Sequence, residues 1–193
     1  MDGKLIVSSS PHISSPVKTK NIMLDVIIAL IPSLAASIYF FGPRAAVITI
    51  VSVATCVIAE YICRKVMKRE QTIGDLSAVV TGILLAFNLP SSVPIYVPII
   101  GGLVAIVMVK QMFGGLGQNF VNPALLARII LMNSFPVLMT TWYPAGSFGA
   151  DTTATASPLA NIAAGSVDAL PSYMDMFIGN IPGCLGETSA LAL

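Results

Sequence analysis

Four hydroxyl side chains stand within six residues in Thr152-Thr153-Ala154-Thr155-Ala156-Ser157, with Asp151 before them and Pro158-Leu159-Ala160 after. Hydroxyls set among small residues suit attachment of a bulky group through oxygen, although by composition alone the stretch reads as a polar loop. A second set is ionisable: Asp25, Glu60, Asp75, Arg128 and Glu187 lie in or beside long apolar runs. Charge in lipid is expensive, so such side chains face polar interiors or sit at interfaces. Arg128, just past Pro123, is expected to be the deep one, whereas Asp25, Glu60 and Asp75 fall near the ends of their runs. A third stretch, Lys110 to Pro123, holds Gly114, Gly115 and Gly117, with Asn119 and Asn122 placed to cap a helix that starts at Pro123. It lacks the spacing of a Walker loop or a dinucleotide fingerprint, so no nucleotide site is assigned to it. Cys56, Cys63 and Cys184 are too scattered for a redox pair or an iron–sulfur site, and with His12 the sole histidine no metal centre is expected.

The elements that must position these residues are membrane helices. Of 193 residues 55% are hydrophobic and 10% charged, and the mean hydropathy is +0.86. Soluble domains carry about 25% charged residues, so the composition is that of an all-α polytopic membrane protein. A net charge of +1 argues against a nucleic-acid partner and leaves the lipid bilayer as the expected surroundings. A bilayer core needs roughly 20 apolar residues per crossing. Five stretches qualify: Ile22 to Phe41, Ala45 to Cys63, the short Leu76 to Leu89, Val93 to Val109, and Pro123 to Trp142, the last with a kink expected at Pro136. Gly101-Gly102 in the fourth suits close helix packing. Lys4, Lys18, Lys20, Arg64, Lys65, Lys68, Arg69 and Lys110 fall on one side of this arrangement and Arg44 alone on the other. By the positive-inside rule the amino terminus is cytoplasmic, and everything after the fifth span is on the outer side.

The implied organisation is a cytoplasmic segment over 1–21, a five-helix membrane repeat over 22–142, an outer-side loop over 143–178, and the start of a further repeat over 179–193. An internal echo points the same way: Gly74-Asp75-Leu76-Ser77-Ala78-Val79 matches Gly186-Glu187-Thr188-Ser189-Ala190-Leu191 as Gly, acid, any residue, Ser, Ala, apolar. Five spans before the echo would make the two repeats inverted, a transporter-like architecture that a solute channel would share.

Through Gly74 to Gly82, Gly114 to Pro123, Asp151 to Ala160 and Gly179 to Ala190, the chain resembles the D subunits of the Rnf ion-translocating oxidoreductases. It is more distantly similar to the B subunit of the sodium-translocating NADH:quinone reductase. The resemblance covers essentially the whole chain and implies one half of an inverted-repeat, urea-transporter-like fold in a prokaryotic plasma membrane. It implies a component of a ferredoxin:NAD oxidoreductase that couples electron transfer to Na⁺ or H⁺ movement and is inactive in isolation, with the A, B, C, E and G subunits of the Rnf complex as partners. It also implies FMN bound covalently through its phosphate to a Thr or Ser of the outer loop, installed from FAD by a flavin transferase, with riboflavin or a second flavin as a further expectation. The transferase pattern is Asp, two variable residues, Ser or Thr, Gly, Ala, then the acceptor. Laid from Asp151 it selects Ser157, with Ala154 and Thr155 departing from the pattern; a second register selects Thr155 and loses the spacing to Asp151.

Overall fold

A computed structural model of the protein describes residues 18–146, 154–165 and 170–193. Asp151 lies outside them. Helix α1 (Thr19–Phe41) and helix α2 (Pro43–Val66) are both long and apolar enough to cross a membrane. They are joined by Gly42 alone, at φ 73°, where glycine's freedom allows an immediate reversal. Pro43 then occupies the first turn of α2, where its missing N–H leaves no bond unmade. Only Ser33, Ser37 and Phe41 of α1 are buried, and its exposed side chains include Ile22, Ile28, Ile31 and Ile38. In a chain of this composition, a helix presenting branched aliphatics outward is facing lipid or another protein.

Helix α2 is the spine of the bundle. Helix α3 (Ser77–Phe87) packs along it, and Gly82 makes this possible, since a Cβ there would come within 2.6 Å of the Val53 Cα. Ser52 Oγ donates to the Gly82 carbonyl at 2.8 Å across the same crossing. Helix α4 (Tyr96–Leu103) continues as a π-helical segment, Val104–Gln111. The expected close packing at Gly101-Gly102 is observed: Gly101 meets Leu131 and Leu85, and Gly102 meets Thr55 and Cys56. Helix α5 (Pro123–Ser134) is capped by Asn122, whose Oδ1 accepts from the Ala124 amide at 3.0 Å and, at 3.4 Å, from the Leu125 amide. Asn119, also expected as a cap, makes no such bond; its Oδ1 is buried without a partner.

The expected fifth span is two helices, α5 and α6 (Pro136–Thr140), broken at Phe135-Pro136 because proline cannot continue the ladder. The third span likewise stops at Phe87 rather than Leu89, its last carbonyls met in part by loop amides: Gly186 donates to Phe87 O and Leu185 to Leu89 O, both at 3.0 Å. Residues 179–193 therefore pack back onto the far end of α3. Two short helices follow the bundle, α7 (Pro158–Ala163) and α8 (Tyr173–Ile178). Ser172 caps α8, and its hydroxyl donating to Asp175 holds that exposed carboxyl below the usual carboxylate range.

Candidate functional site

Among the described residues, two backbone contacts tie the segment that follows α6 to the rest of the chain. The Thr155 amide donates to the Trp142 carbonyl at 2.9 Å, and the Gly146 amide donates to Phe40 O at 2.7 Å, at the end of α1. Ser157 has extended backbone and caps α7, its Oγ accepting from the Ala160 amide at 3.2 Å; Pro158 then starts the helix. This geometry separates the two candidate acceptors. Ser157 is half-buried and lines a cavity of about 450 Å³ together with Arg128, Trp142, Cys184, Glu187 and Thr188. Thr155 is exposed and lines a different hollow, of about 440 Å³, bordered by Pro144, Asn161, Leu170 and Pro182.

Arg128 is the cation of the Ser157 cavity. Its guanidinium donates to Asn88 Oδ1 at 2.6 Å and to Glu187 Oε1 at 3.0 Å, and it stands 3.5 Å from the Cys184 sulfur. The Arg128 side chain keeps 26% of its surface, and that of Glu187 keeps 57%. Such a pair contributes little to stability, so its charge remains available to a ligand. Cys184 Sγ donates in turn to the Asn88 carbonyl at 3.6 Å. Burial first, and Glu187 second, push the Cys184 thiol up to about 12, so it stays protonated.

The cavity fits a flavin by chemistry and by size. Ligand sites run from about 300 to 1,000 Å³ and are mostly apolar with a few placed polar groups. This one joins a hydroxyl acceptor, a flat aromatic surface at Trp142, a guanidinium and apolar walls that include Leu159, Ile162 and Met176. A planar ring, an anionic phosphate and a reduced, electron-rich ring each find a counterpart among these groups.

A second constellation lies at the opposite end of α3, and sequence reasoning missed it. Glu60 and Lys110, 50 residues apart, form an ion pair at 2.9 Å with their side chains 0% and 1% exposed. Lys110 Nζ also donates to Ser77 Oγ at 2.6 Å. The other Glu60 oxygen accepts from Gln111 Nε2 and from Thr72 Oγ1, each at 3.0 Å. Ser77 Oγ donates to Asp75 Oδ1 at 2.5 Å, and the same oxygen accepts from the Ser77 amide. Glu60 is thus enclosed by protein, and Lys110 is not a free surface cation. The π-helical register over Val104–Gln111 turns both Lys110 and Gln111 inward, and Gly114, Gly115 and Gly117, all at positive φ, reverse the chain immediately after it.

A bundle of apolar helices with outward aliphatics, two crossing helices and a buried ionic cluster defines an all-α integral membrane protein. Family comparison narrows this. The NQR2, RnfD, RnfE family model matches residues 6–193, and the chain belongs to that family. It is 48% identical over 193 residues to the D subunit of the Na⁺-translocating ferredoxin:NAD⁺ oxidoreductase complex of Acetobacterium woodii, covering 98% of this chain and 59% of that protein. It is 38% identical over 195 residues to the D subunit of the proton-translocating ferredoxin:NAD⁺ oxidoreductase complex of Clostridium ljungdahlii, covering 97% of this chain and 59% of the relative. To the D subunit of the ion-translocating oxidoreductase complex of Shewanella amazonensis it is 42% identical over 166 residues, covering 85% of this chain and 44% of that protein. The chain thus spans about three-fifths of the length of the first two relatives.

Proposed function

We propose that this chain is the flavin-carrying membrane repeat of the D subunit in an ion-translocating ferredoxin:NAD⁺ oxidoreductase complex. FMN would be esterified through its phosphate to Ser157, and the loop would lie on the outer side of a prokaryotic plasma membrane. The observation that carries this reading is the placement of the Ser157 hydroxyl in one cavity with Arg128 and Trp142, while the Thr155 side chain faces elsewhere. In the attachment step the Ser157 oxygen would attack the FMN phosphorus of FAD, breaking the pyrophosphate bond with AMP as leaving group and the hydroxyl proton passing to solvent or the transferase. When bound, the ring supplies reversible one- and two-electron chemistry.

The residues of this chain then hold and tune. Trp142 and the apolar wall would exclude water from a bound ring. Arg128, anchored by Asn88, would offer positive charge to balance the negative charge that reduction adds. The other subunits of the complex would supply the electron donor and acceptor. Denaturing gel electrophoresis of the assembled complex tests the site. Flavin fluorescence is expected on this polypeptide, lost in Ser157→Ala and kept in Thr155→Ala; the reverse pattern would move the acceptor to Thr155. Absence of fluorescence in the unsubstituted polypeptide would leave the solute-channel reading of the same fold.

A further inference from the structure

We propose that the Glu60–Lys110 constellation is a monovalent-cation site in which the Lys110 ammonium is a tethered occupant, exchangeable for Na⁺. The inference rests on the ion-translocating part of the proposed function and is independent of the flavin.

Three observations carry it. The first is charge. Glu60 is fully buried, and the cation it touches is Lys110. A buried carboxylate is tolerable only with compensating charge, so the site holds one positive charge at a time. The second is the donor set. Glu60, Ser77 and Thr72 present carboxylate and hydroxyl oxygens around the ammonium and its counter-ion. Gln111, also fully buried, gives its N–H to Glu60 and leaves its own amide oxygen without a partner. An orphaned buried acceptor beside a carboxylate suits a hard cation, which takes oxygen ligands, and has nothing to offer a second carboxylate. The third is access. Ser77, which accepts from Lys110, also lines a cavity of about 460 Å³ bounded by Met23, Thr81, Asn119 and Asn122. The unpaired Asn119 Oδ1 belongs to a residue of that same wall. A hydrated cation therefore has a polar approach that ends at the hydroxyl holding the ammonium.

Lysine is suited to this role because its charge sits on a flexible four-carbon stem. The ammonium can swing past Ser77 into the adjoining cavity while keeping its proton, and Na⁺ can take the vacated oxygens, so that the enclosed pocket again holds one positive charge. Ionisable residues inside membrane bundles commonly mark such pathways.

Equilibrium binding of radioactive Na⁺ to the assembled, detergent-solubilised complex provides the test. Saturable Na⁺ binding is expected in the unsubstituted complex and should be lost in Glu60→Gln. Lys110→Met removes the competitor and should lower the half-saturating Na⁺ concentration by about tenfold or more. Lys110→Arg, which keeps the charge and pairs more rigidly with a carboxylate, should raise it. Where Lys110→Met fails to assemble, the Lys110→Arg shift alone decides. Unchanged Na⁺ affinity in both Lys110 variants, or full binding in Glu60→Gln, overturns the proposal, as does a complex that binds no Na⁺ saturably at any pH. The Ser157→Ala variant should bind Na⁺ normally, so loss of the flavin reading and loss of this one give different results.

Discussion

Buried ionisable groups hold the most consequential physics here. The Glu60–Lys110 pair is enclosed, so its mutual attraction is offset by the cost of stripping water from both ions. It ties α2 to the start of α3 and to the π-helical segment Val104–Gln111. Cys184 shows the same desolvation in a single group outside the helices. Because its folded pKa is raised from 9.0 to about 12, the fold favours the neutral thiol. The associated stability is fully present below pH 9.0 and is lost as pH rises toward about 12. Thermal unfolding midpoints should therefore fall over that interval, and Cys184→Ala should flatten the decline. A midpoint equally pH-sensitive in both proteins would show that other groups control it.

At the scale of elements, the α2–α3 crossing is set by an absent side chain. A methyl at Gly82 would lie 2.6 Å from Val53 Cα and 3.0 Å from Val53 N, and backbone cannot step aside as a flexible side chain can. Gly82→Ala is expected to destabilise by about 1–3 kcal/mol, read as a lowered unfolding midpoint of the solubilised protein. It should also weaken the Ser52 bond to the Gly82 carbonyl, because the helices must part.

Much at this scale could be read from the sequence. Hydropathy located α1 and α2 to within a few residues, Pro136 marked the α5–α6 break, and Asn122 followed by Pro123 marked a capped start. The buried pair could not be read this way, for two reasons. Its members are 50 residues apart, and each sits at the end of an apolar run, where a charge ordinarily reaches water. A π-helical register then turned Lys110 inward, and local sequence does not announce such a register. Ser157 could be found only through a motif pattern, since its cavity is assembled from Arg128, Trp142 and Cys184, which no spacing connects.

Taken whole, the molecule sets the two proposed sites at opposite ends of one helix. Ser77 opens α3 beside Lys110, and Asn88 follows its last residue and holds Arg128. The 11 residues of α3 rise by about 16 Å, roughly half a bilayer core. Sites more than about 10 Å apart with no shared partner should respond to substitution additively, so Ser157 and Glu60 variants should combine without coupling. The placement also bears on the expected topology. With Lys110 and Arg64 buried, the exposed cations near the start of α1 and the end of α2 are still Lys18, Lys20, Lys65, Lys68 and Arg69, against Arg44 at the other end, so the positive-inside bias persists without the buried pair. Labelling single cysteines in a background without Cys56, Cys63 and Cys184 checks this directly. In intact cells an impermeant maleimide should modify Ala164→Cys, beside the Ser157 loop, and spare Glu70→Cys, beyond α2, with the pattern reversed in inverted vesicles. Labelling of both positions from one side would place the Glu60–Lys110 pair and the Ser157 loop on the same face and would overturn this topology.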